Sequence, residues 1–265
     1  MSGFSKEWLA LREPADALAR DMSLLARLDL KRAKNLRVID LGTGSASNLH
    51  YLAPLLDCSQ AWTLVDADQA LLDGAVIPKI APSLRVEKRL LDLAHNLDAL
   101  DVTNCNLVTA SAFFDLVSEE WVALLAAKCA GANISYGLFA LNFDGRTSWT
   151  PQDGDDEEIR TIFNAHMCRN KGFGLALGGQ APEALRKYFV AAGYRVFSGD
   201  SSWHLAAEHV QLQSELLEGY LRAACEQSPS KSEMIKAWAK RRRSHIAHGE
   251  SELVVGHRDV LACLD

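Results

Sequence analysis

The residues most able to do chemistry gather in one segment, Val38 to Asn48 (VIDLGTGSASN). Gly42 and Gly44 stand between a short apolar run and a helical pattern. Glycines there allow a tight turn and close approach of a ligand to the backbone, and the opening N–H groups of a helix are free to receive an acceptor. Asp66 ends the next apolar run, in TLVDAD. An acid about 20 residues beyond such a loop accepts hydrogen bonds from ribose hydroxyls in nucleoside-binding folds. A dinucleotide site calls for a third glycine, where this chain has Ser47, and Asp40 two residues before Gly42 is foreign to that pattern. The plainer alternative is a strand-ending turn with no ligand, against which the placing of Asp66 argues.

Those residues need a scaffold, and the apolar pattern supplies one. Short apolar runs at Leu36–Leu41, Ala61–Val65, Leu84–Leu90, Asn106–Ala110 and Asn133–Leu141 read as strands, the third as an edge strand. Helical spacing fills the gaps at Ser45–Leu56, Gln69–Ile77 and Ser118–Lys128. Alternation at intervals too long for hairpins predicts parallel strands joined by crossover helices, an α/β doubly wound, Rossmann-like sheet. Before it, the first thirty residues read as helical, broken at Glu13-Pro14, with a second helix over Pro14–Leu28. After it come a polar, glycine-rich stretch (Asn142 to Gln180) and a helix over Pro182–Ala192 stopped by Gly193. A strand at Tyr194–Phe197, helices over Leu205–Glu226 and Ser232–Ala247, and a last strand at Glu252–Leu264 complete the pattern.

With 265 residues, 48% hydrophobic and 23% charged, the composition excludes fibrous and disordered classes. No apolar stretch approaches the ~18 residues of a membrane span, and charges interrupt the N-terminal segment, so a cytoplasmic protein is expected. A formal charge of −6 gives no global basic field for nucleic acid or anionic lipid, and no partner on a membrane is expected. The six cysteines show no CxxC pair, which predicts buried thiols rather than disulfides or zinc. His245 and His248 lack a third ligand nearby, and no metal is expected.

The string DLGTGSAS resembles the glycine motif of the class I S-adenosylmethionine-dependent methyltransferases. LLDLAH (Leu90 to His95) is similar to the family's adenine motif, and LVTASAFFDLVS (Leu107 to Ser118) to its fourth-strand motif. HMCRNKGFGLALGG and the arginine-rich helix resemble bacterial members. The resemblance implies a mostly parallel seven-stranded sheet with helices on both faces, and S-adenosyl-L-methionine as cofactor. Asp40 would then help place the methionine end with the amides of Gly42, Thr43 and Gly44, and Asp66 with Ala67 would hold the ribose. Asp92 with Leu93 would meet the adenine, and Ser111 would close the site. For Asp92 a helix cap is the competing reading. The family's reaction is an in-line displacement of a methyl group, for which the protein aligns nucleophile and methyl and excludes water. The chain is expected to be one unit over 1–265, with a helical cap (1–33), a cofactor-binding half (34–141) and an acceptor-side half (142–265).

The acceptor side is read from position. Asn142 to Gln180 would leave the fifth strand at its ligand-bearing edge as a lid. His166 is its candidate base, with an ordinary pKa near ~6.5. Lys171 would anchor an acidic group, and Asp144 would line the same site. Phe113, Phe114 and Asp115 follow the fourth strand, and Arg12 on the first helix would face a carboxylate. Arg12, Asp16 and Arg20 also fit a surface charge ladder. Trp149, Trp203 and Trp238 are either a stacking wall or core. Lys236 to Arg243 (KAWAKRRR) reads as a solvated helix face, or as an RNA-binding one. These residues leave three functions open: methylation of a small molecule, methylation of RNA, or binding of the cofactor without catalysis. The absence of an Asn-Pro-Pro-Tyr-like motif disfavours DNA bases.

Overall fold

The computed structural model describes residues 5–28, 35–80 and 83–264. The sequence runs α1 (Lys6–Ala19), α2 (Met22–Leu25), β1 (Asn35–Leu41), α3 (Ser47–Leu52), β2 (Ser59–Asp66), α4 (Gln69–Gly74), β3 (Leu84–Leu90), β4 (Leu107–Ser111) and α5 (Glu119–Gly131). It continues through β5 (Tyr136–Thr150), α6 (Asp156–Met167), α7 (Ala181–Ala191), β6 (Tyr194–Asp200), β7 (Trp203–Leu205), α8 (Val210–Gln227), α9 (Ser232–Ala247) and β8 (Glu252–Leu264).

The sheet has eight strands rather than seven, in the order β3-β2-β1-β4-β5-β8-β6, with β7 paired to β8. From β3 to β5 every pairing is parallel, and β8 enters antiparallel between β5 and β6. The chain winds outward from β1 in one direction to β3 and then in the other through β4 and β5. The crevice at the carboxyl ends of β1 and β4 is therefore the topological switch point, where such sheets bind ligands. Central strands are buried on both faces: Leu36, Leu41, Leu64, Leu107 and Val108 are fully enclosed. That double burial is what makes their sequences read as near-continuous apolar runs.

Four expectations need correction. α1 runs through Pro14 to Ala19 instead of breaking there, and α2 is a separate single turn capped by Asp21. The boundary placed at 33/34 and residues 1–4 and 29–30 of the N-terminal helical reading lie outside the described residues. The helix expected over Ser45–Leu56 is regular only over Ser47–Leu52, because Pro54 tightens the next turn to 3-10 geometry. β5 does not end at Leu141: it continues to Thr150 as a two-stranded ribbon with β8, across register shifts at Phe139/Asn142 and Phe143/Thr147. The stretch expected to be a polar lid thus begins as sheet and continues as α6. Of the cysteines, Cys105, Cys129 and Cys263 are buried as expected, whereas Cys58 and Cys225 are half-buried and Cys168 is exposed.

The ribbon carries its own core. Phe143, Trp149, Trp203, Tyr220 and Trp238 pack there with aliphatic residues of α6, α8 and α9, and α1 contributes Ala15. The three tryptophans are core rather than a ligand wall: Trp238 is fully buried and donates to Asp156 Oδ1 at 2.8 Å. By resting one side on this core, α1 is held across the switch point of the sheet.

Candidate functional site

A cavity of about 510 Å³ opens at the switch point, of a size usual for small-molecule sites (~300–1,000 Å³). The carboxyl ends of β1 to β4 meet it through Asp40, Asp66, Asp92 and Ser111, and α1 covers it with Leu9, Arg12 and Asp16. Every residue expected to hold the cofactor lines it: Asp40, Gly42, Thr43, Gly44, Asp66, Ala67, Asp92, Leu93 and Ser111.

The turn after β1 is built from left-handed residues, Gly42 at φ +61° and Gly44 at φ +54°. A side chain at Gly42 is excluded twice, because its Cβ would lie 2.5 Å from the Phe113 ring. The turn is tied to β2: Thr43 N donates to Val65 O at 3.1 Å, and Gly44 N to Asp66 Oδ2 at 2.8 Å. Asp66 Oδ1 accepts from Asp68 N at 2.9 Å. One carboxylate thus organises both loops, each oxygen keeping acceptor capacity toward the cavity. Asp92 accepts from Ala94 N at 3.0 Å and pairs with His95 at 2.9 Å, a bond that lowers its pKa. It shapes a turn, caps no helix among the described residues, and lines the cavity.

Asp40 is fully buried and receives Thr43 Oγ1 at 2.6 Å and Asn48 Nδ2 at 2.7 Å. Burial dominates these two bonds and pushes its carboxyl up to about 6. Asn48, the second residue of α3, also lines the cavity; its sequence signal was a polar residue on an otherwise apolar helix face. Phe113 and Phe173 form the aromatic wall, their rings edge-to-face at 5.6 Å and both against Trp121. Arg12 is bound bidentately by Asp16 at 2.9 and 3.0 Å and stacks 5.0 Å from the Trp203 ring, whose Nε1 donates to Asp16 Oδ1 at 3.1 Å. Only the Arg12–Asp16 rung of the expected ladder forms, largely buried rather than on the surface, and Arg12 lines the cavity beneath α1. Arg20 leaves the ladder and turns inward, buried.

The other acceptor-side expectations are not brought to the cavity. Phe114 is fully buried against Phe139 at 4.6 Å: after the left-handed turn at Ala112 (φ +51°), Phe113 faces the cavity and its neighbour the core. Asp115 is buried beneath, its carboxyl pushed up to about 6 by burial, with Arg12 and Lys171 opposing that rise. Asp144 lies on the ribbon and pairs with Arg146. His166, in the last turn of α6, faces α8 and pairs with Glu226 at 3.1 Å; burial lowers its pKa. Lys171 is half-buried outside the cavity, its pKa also lowered by burial. The cause is common to Asp144 and His166: the ribbon carries the chain away from the switch point, and Phe173 alone of the described residues after Leu141 returns to line the cavity.

The basic helix has partners too. Arg241 binds Asp153 and Asp155, Arg242 is fully buried on Asp156 and Pro151 O, and Arg243 pairs with Glu218 at 2.7 Å. Asp153, Asp155 and Asp156, just before and at the start of α6, are thus the counter-ions of Arg241 and Arg242, and α8 supplies that of Arg243. Among the described residues no group of three or more His, Cys, Asp or Glu could hold a metal ion, and no helix is long and apolar enough to cross a membrane.

No family model matches the chain, and no curated protein does. Solved structures similar to it include the cyclopropane synthase MmaA2 from Mycobacterium tuberculosis, at 12% identity over 98% of this chain and 94% of that chain, with a TM-score of 0.49. A cyclopropane-fatty-acyl-phospholipid synthase-like protein from Lactobacillus casei has the same identity, coverage and TM-score. A SAM-dependent methyltransferase from Geobacter sulfurreducens, in complex with S-adenosyl-L-homocysteine, is 16% identical over 97% of this chain and 91% of that chain, with a TM-score of 0.40. These are likenesses of chain path at low identity, and no residue role or acceptor follows from them.

Proposed function

We propose that this chain is an S-adenosylmethionine-dependent methyltransferase acting on a small-molecule acceptor. The observation that carries the reading is the convergence of Asp40, Asp66 and Asp92, from the ends of three adjacent strands, on one cavity edged by Gly42 and Gly44. These residues fit the cofactor. Asp66 is already fixed by two backbone N–H groups and presents its remaining lone pairs for the ribose hydroxyls. Asp40 offers a carboxylate to the ammonium of the methionine end, and Asp92 offers one to the exocyclic amine of the adenine. When bound, the cofactor supplies a methyl group on a sulfonium, activated for displacement. The chain's own part is to orient the acceptor between Ser111, Phe113, Phe173 and Arg12, and to exclude water beneath α1.

The whole chain, 1–265, is read as one such unit. Of its cap (1–33), α1 covers the cavity; its half 34–141 holds the cofactor, and its half 142–265 buttresses α1 and supplies Phe173. The pairing of Arg241, Arg242 and Arg243 within the chain supports a small acceptor over RNA. His166 is withdrawn as the base. Calorimetry with S-adenosylhomocysteine, S-adenosylmethionine and NAD tests the cofactor, and transfer of labelled methyl groups to a metabolite extract tests the acceptor. Binding without transfer to any metabolite would favour a catalytically silent cofactor-binding protein; tight binding of NAD alone would overturn the reading.

A further inference from the structure

A buried polar chain links the cover of the cavity to its floor. Asp259, on β8, receives Leu141 N at 2.7 Å and Asp21 N at 3.0 Å, and its Oδ2 lies 3.7 Å from Arg20 Nε. Arg20, the residue that ends α1, stacks its guanidinium 4.5 Å from the Tyr51 ring and donates from Nη2 to Asn48 Oδ1 at 3.1 Å. Asn48 passes the contact on, donating to Asp40 Oδ1 at 2.7 Å and to Thr109 Oγ1 at 3.1 Å, and Thr109 donates to Leu138 O at 2.7 Å. Arg20, Asn48, Asp40, Thr109 and Asp259 are all buried. Asn48 and Asp40 line the cavity, and Arg20 does not.

An arginine is a costly group to bury for structure alone, since an apolar side chain fills the same space without desolvating a charge. Here the guanidinium does something an apolar residue cannot. By donating to Asn48 Oδ1 it fixes which way that amide points, so that Asn48 presents its NH2 group to Asp40. We infer that Arg20 is a positioning residue for the cavity: acting through Asn48, it sets the orientation and charge of Asp40 from the end of the helix that covers the site.

The groups facing Asp40 are Thr43 from the turn, Asn48 from α3, Thr109 from β4, Asp66 from β2 and Arg20 from the end of α1; Arg12 and Asp16 of α1 lie over the same cavity. Arg20 is the one of these cations that favours the ionised form of Asp40, against burial and Asp66. The value of Asp40 to a ligand rests on the cofactor reading above, but its titration in the free protein does not.

The test is an NMR titration of the ligand-free protein carrying 13C-labelled aspartate, with Asp40 assigned by Asp40→Asn. The wild-type carboxyl is expected to titrate at about 6. In Arg20→Gln the midpoint moves upward, and in Arg20→Lys it stays near the wild-type value. Arg20→Gln/Asp259→Asn, which leaves no buried partner charged and alone, is read if the single variant does not fold. Calorimetry with S-adenosylhomocysteine adds a second readout: affinity of the Gln variant falls several-fold near pH 6.5 and recovers toward pH 8. A midpoint unmoved in the double variant, or an affinity loss equal at both pH values, overturns the inference. A shifted midpoint in a protein that binds no S-adenosylhomocysteine would support it and remove the cofactor reading alone.

Discussion

Gly44 and Asp66, 22 residues apart, are joined by a single hydrogen bond of 2.8 Å from the backbone amide to Oδ2. It ties the turn after β1 to the end of β2, so a carboxylate expected to bind a ligand is also a structural clip for the loop that faces the same ligand. Asp66→Ala then removes two functions at once. Charge-assisted bonds to ribose are worth roughly 1.5–3 kcal/mol each, so affinity for S-adenosylhomocysteine falls by one to several orders of magnitude. Calorimetry measures this; affinity within twofold of wild type would remove Asp66 from the site.

On the proposed reading, Asp40 is expected to make binding a proton-linked event. In the free protein its carboxyl is pushed up to about 6 by burial, and an ammonium bound beside it favours the ionised form. Binding at pH values near and below 6 therefore releases protons, and affinity rises with pH through that range before levelling. Titrations of S-adenosylhomocysteine at pH 5.5 in buffers of different ionisation enthalpy read the proton count. Zero release there would show that no cation of the ligand meets Asp40.

Much of this site was legible because the parallel strands advertise themselves. β1, β2 and β4 are short apolar runs, and Asp40 near the end of the first, Asp66 at the end of the second and Ser111 at the end of the third line the cavity, so a motif read along the chain maps directly onto one edge of the sheet. The acceptor side lacked such a signal. β5 outlasts its apolar run because Asp144, Gly145 and Arg146 occupy a register shift, where the strand's alternation is broken. α6 was hidden behind Asp156, Glu157 and Glu158, which read as a loop's acidic run but suit the first turn of a helix. The spacing of Ile159, Ile162 and Phe163 was the overlooked helical face. Because the ribbon and α6 carry the chain away, His166 and Asp144 do not reach the edge that the apolar pattern predicts for them.

The arginines of α9 divide by burial. Arg242 has no exposed side-chain surface and pairs with Asp156, so Arg242→Met leaves that carboxylate without its counter-ion, held by Trp238 Nε1 and Asp153 N, and costs about 2–4 kcal/mol. Arg241 and Arg243 are 44% and 46% exposed, and the same loss there costs only about 0–1 kcal/mol per pair. Urea unfolding separates the two cases. Arg241→Gln/Arg243→Gln also tests RNA binding without disturbing the fold. Salt-steep RNA binding by the wild type that this variant abolishes would restore RNA as acceptor; no such binding is expected.

Asp115 offers a test on a residue close to the site but outside it. Its folded-state carboxyl sits at about 6 against an ordinary 3.8, raised by burial. A raised pKa means that its contribution to stability is fully present below about pH 4 and is lost as pH rises through 6. Above that, the folded protein carries a buried carboxylate that neither Arg12 nor Lys171 contacts closely enough to offset. Asp115→Asn keeps the shape and removes the charge, so at pH 8 the variant should be more stable than wild type by about 1–3 kcal/mol, with little or no gain at pH 4. Urea unfolding at the two pH values gives the difference directly. Affinity for S-adenosylhomocysteine should be unchanged, because the side chain lies beneath the aromatic wall rather than on it. Destabilisation at pH 8 would show that Arg12 and Lys171 depend on this carboxylate as their counter-ion, and a lost affinity would return Asp115 to the site.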